Sequence, residues 1–176
     1  MSGIQAPDKE TMEACRLYVD NLIKPIHSLG KLEDIAVRLA GITGKIKPGK
    51  LNKAIVVMAG DTAVDGENKT GGKTMKSEVQ MVSRGLGTVS AVARTLGAPV
   101  YLIDVGLEQN TNDIEGVLTN KVVYGTHRGN PALDQDAVSA AISIGMSVAR
   151  TLAVQGIQAL SLIHISEPTR LRRISY

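Results

Sequence analysis

AIVVMA (residues 54–59) and VYLIDV (residues 100–105) are the two stretches that decide the fold. Each is short and almost continuously apolar, which is the pattern of a strand buried on both faces of a parallel sheet. Between them, the apolar residues of 79–96 recur every three or four positions, which predicts one long helix ending at Gly97. A strand, a helix and a second strand in this order form a right-handed crossover, so the sequence predicts an α/β fold.

Two amphipathic helices are predicted ahead of the first strand, over residues 8–23 and 31–40. They lie outside the strand–helix alternation, so we expect residues 1–44 to form a small N-terminal helical segment and residues 45–159 to form the α/β part. The predicted inward faces are Met12, Cys15, Val19 and Leu22 in the first helix, and Leu32, Ile35, Ala36 and Leu39 in the second.

A third amphipathic helix is predicted after a long irregular connection over residues 106–130. Asp134 is placed to cap its start and Gly156 to end it. Its apolar stripe consists of Val138, Ala141, Gly145, Val148 and Leu152.

Composition excludes some classes of function. The chain has no Phe and no Trp, which argues against sites that stack single-stranded nucleic acid. The net charge is +3, and the arginines after residue 160 supply most of it, so we expect no nucleic-acid partner. Cys15 is the only cysteine and is expected to be a small buried residue. No secretory signal and no apolar stretch of bilayer length is found, so we expect a cytoplasmic protein without a membrane partner.

The pattern of apolar and polar residues changes at residue 160. The run LSLIHISEPTR-LRR-ISY (160–176) continues no earlier periodicity and resembles a translated sequencing adapter of the transposase type. The alternative is a genuine, divergent C-terminus. We expect residues 160–176 to be a non-native tail in which His164 has no function, with native sequence ending near Ala159 and its reading frame continuing beyond. The apolar run over Ile157–Ile165 still predicts a local strand.

Five segments resemble one enzyme family. They are KPIHSLGKLE (24–33), IAVRLAGITG (35–44), VMAGD (57–61), AVAR leading through GA into IDVG (91–106), and GNPAL (129–133). In order and spacing they are similar to motifs of the nicotinate-nucleotide:dimethylbenzimidazole phosphoribosyltransferases. The resemblance covers about residues 8–159 and implies an N-terminal part of such a protein.

The resemblance implies a Rossmann-like, three-layer parallel sheet with helices on both faces, a small helical domain, and a dimer. It also implies transfer of phosphoribose from nicotinate mononucleotide to 5,6-dimethylbenzimidazole, giving α-ribazole phosphate, the lower-ligand part of cobalamin, and nicotinate. No metal or organic cofactor is implied. The family's glycine-rich phosphate segment and its catalytic glutamate would lie beyond residue 160, so we expect the fold to be incomplete and this chain to contain no general base.

Two aspartates follow the predicted strands. Asp61 comes directly after the first, and Asp104 closes the second, which places both at the carboxyl edge of the sheet, where ligands of open α/β proteins bind. Breaking the bond between ribose and base builds positive charge, which carboxylates stabilise. The alternative is that Asp61 and Asp104 cap loops or bond backbone amides.

Other candidates carry less weight. Gln80 and Arg84 fall where the family contacts the aromatic base, although the alignment there differs by about two residues. We interpret Gly71-Gly72 as a surface loop and His127 as a loop histidine. Gly85-Leu-Gly87 is expected mid-helix, where it serves close packing rather than phosphate binding.

One departure from the family affects the expected substrate. The family's Asp-His-Gly is Asp61-Thr62-Ala63 here, and some relatives attach other bases, including phenolic ones, as unlike pairs of subunits. Two functions therefore stay open. One is a lower-ligand base phosphoribosyltransferase, and the other is a diverged accessory subunit.

Overall fold

The computed structural model describes residues 5–60, 75–107, 109–121 and 135–165. Several predicted features lie outside these ranges: Asp61, Gly71-Gly72, His127, the 129–133 motif, Asp134 and the tail after residue 165. The chain divides into two compact units, one ending at Leu51 and the other starting at Asn52.

The first unit is a pair of helices, α1 (Lys9–Asp20) and α2 (Lys31–Thr43). Asp8 caps α1 by accepting a hydrogen bond from the Thr11 amide at 3.1 Å. The two helices pack through a small apolar core consisting of Cys15, Val19, Val37 and Ala40, with Met12 beside it. The two helices predicted ahead of the first strand are confirmed, and Cys15 is buried as expected.

The predicted inward face of α2 is wrong. Leu32 and Ile35 are 64% and 53% exposed, whereas Val37 and Ala40 are buried. The reason is Gly41, where an added Cβ would lie 2.5 Å from Met12 Cγ, so α1 approaches most closely along the face that has the smallest residues. The contact with α1 therefore decides which residues of α2 are buried.

The second unit contains a four-stranded sheet. Its strands are β1 (Lys53–Gly60), β2 (Val100–Gly106), β3 (Val117–Thr119) and β4 (Ala159–Ile165). All the pairings are parallel and the order is β3-β2-β1-β4. The strand expected over Ile157–Ile165 is confirmed as β4. Strand β3 lies inside the connection that was predicted to be irregular. The sequence did not predict it because three residues are too few for a periodic pattern, and they form a strand only by pairing with β2.

Helices cover both faces of this sheet. On one face, Ile55 and Val57 pack with Val82 and Ala93 of the connecting helical segment. On the other face, Val56 and Ile103 pack with Leu152 of α5 (Gln135–Val154). Alternate residues of β1 therefore serve opposite layers, and the predicted three-layer α/β fold is confirmed.

The single helix predicted between β1 and β2 is two helices, α3 (Met75–Ser83) and α4 (Thr88–Leu96). Gly85 has a φ of +76°, which a helix cannot contain, so the prediction that Gly85-Leu-Gly87 lies mid-helix is wrong. Gly87 precedes α4 and does serve close packing, since an added Cβ would lie 2.9 Å from Val82 Cγ2.

Among the described helices, α5 is long and apolar enough to cross a membrane by length and composition. The expectation that no stretch of the chain reaches that length is therefore wrong. These two criteria are weak evidence for a membrane span, because a helix that covers a sheet can satisfy them as well. In this structure, α5 packs on β1 and β2 through Val148 and Leu152.

Candidate ligand site at the carboxyl edge of the sheet

The carboxyl ends of β1 and β2 lie side by side. Ala59 pairs with Asp104, and Gly60 pairs with Gly106 across a register shift. Parallel sheets bind ligands beyond this edge, where loops leave the strands. Asp61 is the residue that follows β1 here, and its side chain lies outside the described residues.

Asp104 is fully buried at this edge. Its Oδ1 accepts hydrogen bonds from the amides of Gly106 at 3.0 Å and Leu107 at 2.8 Å. Its Oδ2 accepts one from the hydroxyl of Thr111, itself fully buried, at 2.5 Å. The carboxylate thus holds the turn that follows β2 from inside.

Lys121 completes this arrangement. Its Nζ donates to the carbonyls of Leu107 and Gln109, both at 2.7 Å, and lies 3.5 Å from Asp104 Oδ2. One ammonium therefore ties both ends of the 107–121 loop together and neutralises the buried aspartate. Sequence reasoning missed Thr111 and Lys121, because nothing local in the sequence connects either residue with Asp104.

The same loop is anchored to α3. Lys76, in the first turn of α3, forms an ion pair with Asp113 at 2.8 Å, and Ser83 donates to the carbonyl of Glu115 at 2.7 Å. The Lys76 contact is the largest cause that lowers the pKa of Asp113. Helix α3 and the loop after β2 therefore form one wall, joined near both ends of the helix.

Asp104 acts on this wall through the backbone. Four donors surround its two oxygens, which is about the number of hydrogen bonds that an ionised carboxylate accepts. Within the described residues, every buried side-chain nitrogen and oxygen has a partner. The geometry matches that expected of a carboxylate that bonds backbone amides and orders a loop.

Gln80 and Arg84 lie near different edges of the sheet. Gln80 is half-buried in α3, next to Val79, which packs with Ala59 and Leu107 near the carboxyl edge. Arg84 is exposed after the end of α3. Its neighbours Ser83 and Gly85 line a groove of ≈ 520 Å³ that includes the start of β2, at the amino edge of the sheet. Gln80 therefore lies in the part of α3 near the carboxyl edge, and Arg84 lies near the amino edge.

In the first unit, the 24–33 segment has a structural role. Glu33 is buried, and its Oε1 accepts hydrogen bonds from Lys24 Nζ at 2.8 Å and from the Leu29 amide at 3.1 Å. The bond from Lys24 is the main cause that holds the pKa of Glu33 below its ordinary value, with the Leu29 amide adding to it. This ion pair fastens the connection between α1 and α2.

Asp20, His27 and Glu33 have carboxylate and imidazole atoms within 4.8 Å of one another, close enough to hold a metal ion. The Lys24 ammonium already occupies Glu33 Oε1, however, and a cation there would have to displace it. We therefore interpret this cluster as the surroundings of an ion pair.

A three-layer parallel sheet with an ordered loop at its carboxyl edge defines a doubly wound α/β protein of the ligand-binding class. The model of a family described as "Phosphoribosyltransferase" matches residues 4–165. The chain belongs to this family of phosphoribosyltransferases.

Individual relatives agree with this assignment. The chain is 38% identical over 161 residues to the nicotinate-nucleotide–dimethylbenzimidazole phosphoribosyltransferase of Alkaliphilus metalliredigens, covering 89% of this chain and 46% of that protein. It is 35% identical over 165 residues to the protein of the same name from Geobacter sulfurreducens, again covering 89% and 46%. The chain therefore spans about half the length of these curated relatives.

The fold agrees as well. The structure of nicotinate-nucleotide-dimethylbenzimidazole phosphoribosyltransferase from Thermus thermophilus superposes with a TM-score of 0.78 at 29% identity. The superposition covers 90% of this chain and 49% of that one.

Proposed function

We propose that the complete protein to which this chain corresponds transfers phosphoribose from nicotinate mononucleotide to 5,6-dimethylbenzimidazole, giving α-ribazole phosphate and nicotinate. The observation that carries the proposal is the match to the family model along residues 4–165, together with two relatives that bear this activity in their names. The product is the lower-ligand part of cobalamin, so the protein would act in cobalamin assembly.

The carboxyl edge suits the chemistry of this reaction. Cleavage of the bond between ribose and base leaves positive charge at the ribose, and a carboxylate beyond β1 stabilises such charge. We propose Asp61 for this role, with Gln80 on the neighbouring wall contacting the incoming base. Arg84 is proposed as a weaker candidate for base contact, since it stands near the opposite edge of the sheet.

Asp104 is proposed as a positioning residue. It keeps the loop that follows β2 in place, and so preserves the wall against which the substrates bind. The general base and the residues that bind the nucleotide phosphate are proposed to come from the part of the relatives that this chain does not span. No metal or organic cofactor is required by this scheme.

The proposed setting is a cytoplasmic dimer with small-molecule substrates and neither nucleic acid nor membrane as a partner. A second candidate function is an accessory subunit of a related transferase, one that acts on phenolic bases. It is favoured by Asp61-Thr62-Ala63, where the family has Asp-His-Gly. A histidine that could orient Asp61 or donate to a ligand is absent from that position.

The test uses a completed protein in which native continuation replaces residues 160–176. Purified protein is incubated with nicotinate mononucleotide and either dimethylbenzimidazole or phenol, and the riboside phosphates are separated by chromatography. Formation of α-ribazole phosphate supports the proposed transferase. Product from phenol alone would redirect the proposal to phenolic bases, and no product from either base would favour the accessory subunit.

Asp61→Asn in that completed protein removes the charge and keeps the shape. We expect the barrier to turnover to rise by on the order of 1–3 kcal/mol, as for the loss of one electrostatic contact. Asp34→Asn, which alters an exposed aspartate of α2 outside this wall, is the matched control and should leave kcat/KM nearly unchanged. Unaltered kinetics in Asp61→Asn would reduce this residue to a loop cap.

A further inference from the structure

Three residues of α3 lie on one side of the helix, about one turn apart. Lys76, Gln80 and Ser83 have the i, i+4, i+7 spacing, which places them within about 60° of one another around the helix axis. The Nζ of Lys76 lies 2.8 Å from Oδ1 of Asp113, in the loop after β2. The Oγ of Ser83 donates to the Glu115 carbonyl of the same loop at 2.7 Å. Gln80 therefore lies between two points at which α3 is bonded to this loop.

The apolar contacts of α3 with the sheet fix only part of its position. Helix α3 has nine residues, and of its described side chains only Val79 and Val82 are buried. Val79 packs with Ala59, and Val82 packs with Val57. These two valines form one line of contact, and because apolar burial is not directional, a short helix can still rotate about that line. The two polar contacts with the loop lie on another side of α3 and oppose this rotation.

Stability alone gives little reason for the ion pair between Lys76 and Asp113. The Asp113 side chain is 62% exposed, and ion pairs in contact with water contribute little to folding. Lys76 also lies in the first turn of α3, where the helix dipole disfavours a positive charge. A pair in this position contributes more to the orientation of α3 than to the free energy of unfolding.

The side chain whose orientation depends on these contacts is Gln80. It is half-buried, and its amide group has no hydrogen-bond partner among the described residues. A side-chain amide offers both a donor and an acceptor, and a neutral ring of the imidazole type offers the same two functions on its nitrogens. A Gln80 amide held at a fixed angle is therefore suited to hydrogen-bond a base of the benzimidazole class.

We propose that Lys76 is a positioning residue for the acceptor base: its contact with Asp113 holds α3 in the rotation that presents Gln80 to the base. This inference rests on the proposed function and adds a residue that acts on base binding without touching the base. Rotation of α3 would move the Gln80 amide out of hydrogen-bond range, whereas the groups proposed to act on the ribose belong to other elements. Loss of the Lys76 contact therefore weakens base binding and leaves the bond-breaking step unchanged.

The test uses the completed protein, in which native continuation replaces residues 160–176. Lys76→Met removes the charge and keeps an unbranched side chain, and Lys76→Arg keeps the ion pair. Combining Lys76→Asp with Asp113→Lys restores the pair with reversed charges. Arg16→Met, which removes the exposed ion pair with Asp34 in the N-terminal unit, is the matched control. Steady-state kinetics give kcat and the KM of each substrate, and isothermal titration calorimetry gives the Kd of dimethylbenzimidazole.

We expect Lys76→Met to raise the KM and the Kd of dimethylbenzimidazole by about three- to tenfold, as for the loss of one hydrogen bond. Its kcat and its KM for nicotinate mononucleotide should change by less than about twofold. The arginine variant, the charge-reversed pair and the Arg16→Met control should match the unaltered protein. Unchanged base affinity in Lys76→Met, or no recovery in the charge-reversed pair, overturns the proposal. A raised KM for nicotinate mononucleotide also overturns it, because Lys76 would then contact the nucleotide.

Calorimetry separates this inference from the proposed function. A completed protein that binds dimethylbenzimidazole but forms no product refutes the proposed transfer, while the Kd values still test Lys76. A completed protein that does not bind the base overturns the inference itself. Ser83→Ala, which removes the other contact of α3 with the loop, tests the same orientation if Lys76→Met does not fold. It should weaken base binding in the same direction, and unchanged affinity in that variant would contradict the proposal.

Discussion

At the residue scale, Asp104 illustrates how a buried carboxylate can support a proposed site by holding a loop in place. Its oxygens receive two backbone amides, the Thr111 hydroxyl and the Lys121 ammonium. A charge buried without such partners would be strongly unfavourable. The buried aspartate therefore depends on the loop conformation and on Lys121, and the loop conformation depends on the aspartate.

Replacing this carboxylate tests its role. In Asp104→Asn an NH₂ group replaces one acceptor oxygen, which leaves Thr111 or the amides of the turn without a partner. We expect the free energy of unfolding to fall by about 1–3 kcal/mol, measured by urea denaturation. Asp113→Asn, in the same loop but 62% exposed at its side chain, should have a much smaller effect. Equal losses in the two variants would contradict the assignment of Asp104 as the residue that organises the loop.

Glu33 predicts a pH dependence in the helical unit. Lys24 and the Leu29 amide lower its pKa in the folded chain, so its contribution to stability is complete above the ordinary value of 4.5 and is lost as pH falls through the folded value. We expect the difference in unfolding free energy between the unaltered chain and Glu33→Gln to be largest at neutral pH and to shrink below about pH 4.5. Chemical denaturation between pH 3 and 7 measures it, with the exposed Glu13→Gln as control. A difference that is constant over this range would exclude the ion pair as its source.

At the element scale, two glycines occupy two different kinds of backbone position. Gly85 has a positive φ and ends the turn after α3, whereas Gly145 is in the middle of α5 with open space above it. Periodicity treats both as gaps in an apolar stripe. Only the backbone conformation shows that one interrupts a helix and the other does not.

This difference predicts opposite signs for one substitution. Gly145→Ala should stabilise the 176-residue chain by about 0.5–1 kcal/mol, because alanine restricts the unfolded chain and meets no obstacle in the helix. Gly85→Ala should destabilise it by more than that, since the left-handed backbone strains any side chain. Thermal unfolding of both variants measures the contrast, and the same sign in both would refute it.

At the scale of the whole molecule, the carboxyl edge is proposed to supply only part of the groups that the reaction needs. Asp61 follows β1 and the Asp104 loop follows β2, while the resemblance implies that the general base and the phosphate-binding segment lie in sequence that would follow residue 160.

We therefore expect the 176-residue chain alone to form no α-ribazole phosphate from nicotinate mononucleotide and dimethylbenzimidazole. Loss of a general base typically lowers a rate by about 10²–10⁴-fold, and loss of the phosphate grip removes the binding that positions the ribose. Chromatography of the reaction mixture against a control without protein is the measurement. Product above that control would mean that the unspanned half of the relatives is dispensable.

Much of this architecture was predictable from the sequence. Continuous apolar runs specified β1 and β2, which have the pattern of strands buried on both faces, and a further apolar run specified β4. Helix periodicity located α1, α2 and α5, and the order of motifs identified the family. These features depend on neighbouring residues, or on particular residues at regular spacing. They can therefore be predicted without knowing which residues contact one another in the folded chain.

Other features depended on tertiary structure alone. The break at Gly85, the short strand β3, and the choice of Val37 and Ala40 over Leu32 and Ile35 as the buried face of α2 all depend on which element lies opposite. The Asp104–Thr111–Lys121 arrangement joins residues that no local pattern connects, and it forms only because β2 and the 107–121 loop fold back on one another. The sequence by itself determined the layers and the family of this protein. Packing decided which apolar faces are buried and which carboxylate orders a loop, because both depend on contacts between residues far apart in the chain.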